Sequence, residues 1–87
     1  MIVVVEFLGT LSTLSGCQKQ IFEFDDKATI YTLTHRLKAE LFLGKDSFED
    51  INILILVNGR EISVLDGHET ALKNKDTISL IPVSHGG

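Results

Sequence analysis

One stretch of this chain has the spacing of an amphipathic helix: Ile30, Leu33, Leu37 and Leu41 recur at intervals of three and four, on one face. Thr29 stands before the first of them, where its hydroxyl suits an N-cap, and Gly44 stands where a glycine would end the helix. The segments around it read as strands. Ile2 to Leu8 is rich in β-branched residues, and Ile21 to Phe24 resumes that signal after a stretch holding Gly9, Ser12, Ser15 and Gly16, which predicts a hairpin with a long loop. Ile53 to Val57 is a continuous apolar run closed by Asn58-Gly59, a strong turn signal, with a short extended piece around Glu61-Ile62-Ser63. Thr77 to Ile81 alternates before Pro82, which has no amide donor and is expected to end ladder pairing.

A lone helix among these strands must cover one face of their sheet. The order strand, strand, helix, strand, short strand, strand is that of an α+β fold of β-grasp type, a mixed sheet covered by one main helix. Val3, Val5 and Phe7 are expected to face the helix with Ile30, Leu33, Leu37, Ile55, Ile78 and Leu80, each contributing about 1.5–3 kcal/mol when fully buried. With 87 residues there is room for one core, so we expect a domain over residues 1–82 and a flexible tail over 83–87.

Composition narrows the chemistry. Hydrophobic residues make up 44% of the chain and charged residues 23%, which places it outside the disordered class. Eight basic against twelve acidic residues give a net charge of −4, which disfavours nonspecific binding to nucleic acid or anionic membrane and favours a basic or apolar partner surface. Cys17 is the one cysteine, too few for a disulfide or a four-cysteine cluster within the chain. The apolar start, Met1 to Val5, reaches Glu6 long before it could span a bilayer, and a cytoplasmic location is expected. His35 and His68 lie far apart in sequence from each other and from any ligand cluster, so no metal site is expected.

The chain closes on His85-Gly86-Gly87. A terminal glycine pair has nothing to turn into, and its backbone freedom carries an entropic cost without a folding benefit. It suits a slim, extended end that can thread a narrow tunnel and present the α-carboxylate, which is ionised at cellular pH. Together with that end, the segments Val57-Asn58-Gly59-Arg60, Leu65-Asp66-Gly67-His68-Glu69-Thr70, Leu72-Lys73-Asn74-Lys75-Asp76 and Ile78 to Gly87 resemble the ubiquitin-like sulfur-carrier family. That family comprises the small subunit of molybdopterin synthase, the ubiquitin-related modifier of tRNA thiolation and the archaeal small modifiers. Pro82-Val83-Ser84 looks like the molybdopterin-synthase tail, and His85 before the glycines looks like the tRNA-thiolation modifier. Lys75 stands where the family often has a turn glycine, and a single Pro82 replaces a common proline pair.

The resemblance implies a carrier, not an enzyme. An activating enzyme of the ubiquitin-activating type would use ATP to adenylate the carboxylate of Gly87, and a sulfur donor would convert it to a thiocarboxylate for molybdopterin synthesis or tRNA thiolation. The acceptor would be the molybdopterin synthase large subunit or a tRNA thiolase. The same acyl-adenylate could instead pass to target-protein lysines as an isopeptide, and a third reading is a noncovalent ubiquitin-like interaction module. No G-x-x-x-x-G-K or G-x-G-x-x-G run is present, so no cofactor is expected on this chain and ATP belongs to the partner.

Residues outside the tail can be ranked by register. With Ile55 inward, Leu54 and Leu56 point outward with Val4 and Ile81, which predicts an apolar docking patch near the tail. Gly86 would enter the partner's tunnel with Gly87, and His85 would either order the tail there or sense pH, or serve as a solvated spacer, which is the commoner case. Cys17 has Lys19 close in sequence, as a reactive thiol requires, but a structural cysteine is the commoner case. Asp25-Asp26 and the group Asp46, Glu49, Asp50 are read as solvated charges.

Overall fold

The computed structural model describes residues 1–42 and 52–83. Its elements are β1 (Ile2–Phe7), α1 (Thr10–Ser15), β2 (Lys19–Glu23), α2 (Ile30–Glu40), β3 (Asn52–Val57), β4 (Arg60–Glu61) and β5 (Thr77–Val83), with 3-10 turns at Ile62–Val64 and Gly67–Glu69. The strands form one sheet in the order β2-β1-β5-β3-β4, in which β1 and β5 run parallel and the other pairs antiparallel. The expected mixed sheet with one main helix is therefore what forms.

Alternation along the strands decides which face packs. Val3, Val5 and Phe7 of β1, Phe22 of β2, Ile55 and Val57 of β3, and Ile78 and Leu80 of β5 are buried beneath Ile30, Leu33 and Leu37 of α2. The nine residues assigned to this core from the sequence all lie in it. Leu11, Phe24, Ala28, Phe42, Ile62 and Leu72 complete it from the connections. Helix α2 starts on a reciprocal cap, in which the Thr32 amide donates to Thr29 Oγ1 and the Thr29 amide to Thr32 Oγ1.

The expected hairpin of β1 and β2 forms, and three other local expectations are corrected. The loop of the first hairpin contains α1, whose Leu11 is wholly buried. Gly9 and Gly16 bound it at φ 54° and 81°, and a Cβ on Gly9 would come within 3.0 Å of Pro82 Cγ, so position 9 needs glycine for both conformation and space. Helix α2 stops at Glu40 with Leu41 as its C-cap, and Gly44 lies outside the described residues. The short strand is Arg60–Glu61, and the chain passes at once into the 3-10 turn, where the Glu61 carboxylate accepts the Ser63 amide.

Pro82 does not end β5. Pairing with β3 continues through Ile53↔Pro82 to Asn52↔Val83, so Val83, assigned to the tail, is the last residue of the strand. The Leu8 amide donates to Leu80 O and the Val4 amide to Asp76 O, so even-numbered residues of β5 turn their backbone groups toward β1. The donor that Pro82 lacks would have pointed to that side, where pairing has already stopped at Phe7↔Leu80. The proline ends one ladder and leaves the other intact.

Candidate functional site

The tail leaves the middle of the sheet. β5 is flanked on both sides by strands, and its last residue, Val83, precedes the His85-Gly86-Gly87 end, which lies outside the described residues. The site that can be built from structure is therefore the platform at the base of the tail.

On the face away from α2, Leu54 stands opposite Ile81 and Asn52 opposite Val83, while Leu56 is paired with Ser79. Leu54, Leu56 and Ile81 are half-buried and contiguous, and Val83 is 46% exposed. Val83 was missed as a patch member because the proline before it suggested that the strand was over, yet it lies two residues beyond Ile81 on the same face.

Val4 lies on this face but does not join that group. Its neighbours are Thr77 in β5 and Ile21 in β2, and Ser79 and Glu6 stand between it and Leu56. Strand spacing puts β1 and β3 about 9.5 Å apart across β5. The four residues named from the sequence thus divide into Leu54, Leu56 and Ile81 at the tail base and Val4 in a second apolar area with Ile2 and Ile21.

The remaining candidates are dispersed. Cys17 is half-buried, with its Sγ 3.5 Å from Gln20 Oε1 and 3.7 Å from Ser15 Oγ. His35 is exposed on α2, and the His68 ring lies 5.7 Å from that of Tyr31. Asp25 accepts the Lys27 amide in a local turn, and Asp46, Glu49 and Asp50 lie outside the described residues. Among the described residues no group of three or more His, Cys, Asp or Glu could hold a metal ion, and no helix is long and apolar enough to cross a membrane. A groove of about 690 Å³ lies on the helix side, lined by Tyr31, Lys38, Ile55, Glu61 and His68 among others. It is on the opposite face of the sheet from Leu54 and Leu56.

A sheet of this order with its central strand running out to a glycine pair can be compared with known proteins. The ThiS family profile matches residues 5–87, the terminal glycines included. The chain belongs to the ThiS family. It is 32% identical over 88 residues to small archaeal modifier protein 3 of Haloferax volcanii, a match covering 95% of this chain and 96% of the relative. Among solved structures, Urm1 from Trypanosoma brucei superposes with a TM-score of 0.76 at 22% identity, covering 99% of this chain and 95% of that one. A chain from the complex of subunits 1 and 2 of the Helicobacter pylori molybdopterin-converting factor gives 0.68 at 24% identity, with 100% of each covered. The two structures share the ubiquitin-like β-grasp fold with this chain, and the family match with the modifier relative sets it in a family of ubiquitin-like carriers and modifiers.

Proposed function

We propose that this chain is a sulfur carrier whose reacting group is the α-carboxylate of Gly87. The observation that carries this reading is that the family match extends through the final glycines. In the first step the carboxylate attacks the α-phosphorus of ATP on an activating enzyme, releasing pyrophosphate and leaving an acyl-adenylate. A persulfide of a donor cysteine then attacks the carbonyl carbon and expels AMP, giving an acyl disulfide. A thiol attacks the donor sulfur, forms a disulfide with it and releases the thiocarboxylate. This chain supplies the carboxylate and the slender approach, while Leu54, Leu56, Ile81 and Val83 offer the surface on which the activating enzyme or a downstream synthase would seat. Molybdopterin synthesis and tRNA thiolation are the candidate destinations.

Incubation with an activating enzyme, ATP and a persulfide source should raise the intact mass by about 16 Da, the exchange of oxygen for sulfur at the carboxylate. Deletion of Gly86 and Gly87 should abolish the shift without loss of fold, since both lie beyond β5. Sulfur transfer by the deleted chain would overturn the reading. A second reading, conjugation of Gly87 to lysines, is favoured by the similarity to a small archaeal modifier protein. Branched lysine peptides bearing the Gly-Gly remnant of a tagged chain would establish it.

A further inference from the structure

β2 is an outer strand, and among the described residues no strand pairs with its free side. The direction of its backbone groups follows from its inner ladder. The Met1 ammonium donates to Phe24 O at 2.7 Å and the Phe24 amide to Met1 O at 2.9 Å, so this pair exchanges both bonds. Alternation in an antiparallel ladder then turns Gln20 and Phe22 toward β1 and Lys19, Ile21 and Glu23 outward. The Glu23 carbonyl confirms the phase, since it accepts from Arg36 Nη1 at 2.6 Å.

The same three residues place their side chains on the outer face, where Ile21 is 64% exposed and Lys19 and Glu23 are exposed. The edge therefore reads positive, apolar, negative at alternate positions. We propose that this edge pairs with the β2 edge of a second copy of the chain, antiparallel and centred on Ile21. In that register each Lys19 stands opposite the Glu23 of the other copy, and the two Ile21 side chains meet on the two-fold axis. A parallel arrangement would set Lys19 against Lys19 and Glu23 against Glu23.

The flanking strands extend the match. Val4 is the β1 neighbour of Ile21, so an apolar row Val4, Ile21, Ile21, Val4 runs across both copies. Glu6 neighbours Lys19, which places each Lys19 between two carboxylates. The Ile21 amide and carbonyl of each copy exchange two bonds, and each Glu23 amide reaches the Lys19 carbonyl opposite. Arg36 keeps its bond to the Glu23 carbonyl, which limits the ladder to a few residues. An edge pairing of this length buries less than the roughly 1,200 Å² of a standard interface, so we expect half-dimerisation at roughly 0.1–1 mM.

Charge exchange tests the register. Sedimentation velocity and amide shifts of the full chain, followed from about 20 μM to 2 mM, should show association with perturbations centred on Lys19–Glu23. Lys19→Glu alone and Glu23→Lys alone should each remain monomeric across that range, because each faces like charge on both sides of the axis. An equimolar mixture of the two variants should associate, since both contacts are then complementary. Ile21→Thr, which keeps a β-branched residue, should weaken self-association at least tenfold. A wild-type chain that stays monomeric, perturbations centred on Leu54 and Leu56, an Ile21→Thr chain that associates as tightly as wild type, or two folded variants that fail to associate when mixed would each overturn the proposal.

Discussion

The side-chain amide of Asn58 donates to Asp76 Oδ1 at 2.9 Å and thereby ties the β3–β4 turn to the start of β5. Asn58 Oδ1 accepts the Thr77 amide, its own amide donates to Thr77 O, and Asp76 Oδ2 accepts the Lys73 amide at 2.8 Å. Asn58 at φ 51° and Gly59 at φ 85° have the positive dihedrals that an Asn-Gly hairpin turn requires. Asp76 is buried, so its oxygens hold two loops in place where little water competes.

Asp76→Ala removes two charge-assisted bonds and should cost about 2–3 kcal/mol, with a fall in Tm of roughly 8–20 °C for a domain of this size. Asp76→Asn keeps one acceptor and should lose about half as much. Thermal denaturation of the two variants provides the measurement.

Lys75 adopts φ 72° while its amide donates to Ile2 O, so a side chain occupies a left-handed position that glycine takes without strain. Lys75→Gly should raise stability by about 0.5–1 kcal/mol, the relief of strain exceeding the entropy that glycine adds to the unfolded chain. A shift of the urea midpoint to higher concentration at unchanged m-value checks this.

Ile55 and Leu56 are neighbours in sequence that face opposite sides of the sheet, one buried and the other half-buried at the tail base. Ile55→Arg would bury an unpaired charge and should unfold the domain at a cost of several kcal/mol. Leu56→Arg should cost far less, below about 1 kcal/mol, because the guanidinium on its long aliphatic stem can reach water. If the tail base is the docking surface, Leu56→Arg should also raise the carrier concentration needed for adenylation at least tenfold.

Glu61 accepts the Ser63 amide, with its hydroxyl contributing as well, and these bonds hold its carboxyl below the usual carboxylate range against a small opposing effect of desolvation. A lowered folded-state pKa means that the bonds support the 3-10 turn above the unfolded pKa and are lost as pH falls through the folded one. Hydrogen exchange at the Ser63 amide, extrapolated to a common intrinsic rate, should show protection falling on acidification. Glu61→Gln should flatten that dependence.

The sheet and its core were legible because periodicity reports burial directly: alternation in β1 and β5 and the three–four spacing of α2 depend on little beyond their own packing. Features set by distant contacts were not. Six residues of α1 are too few for a periodic signal, although Leu11 and Leu14 stand three apart between two glycines. The effect of Pro82 depended on which neighbour its missing amide would have faced, and that is a property of the sheet order. Splitting Val4 from Leu54, Leu56 and Ile81 required knowing that β5 lies between β1 and β3, since sequence parity assigns a face and not a column.

The parallel pairing of β1 with β5 also sets when the protein can come into being. Strands from opposite ends of the chain meet at the centre of the sheet, so the contacts that close the core span nearly the whole sequence and folding is slowed by the entropy of closing that long loop. A nascent chain that has not yet produced Thr77 to Val83 has no middle strand around which to organise. The fold therefore waits on Thr77 to Val83, and a partner that recognises the folded platform would not engage a copy that still lacks them.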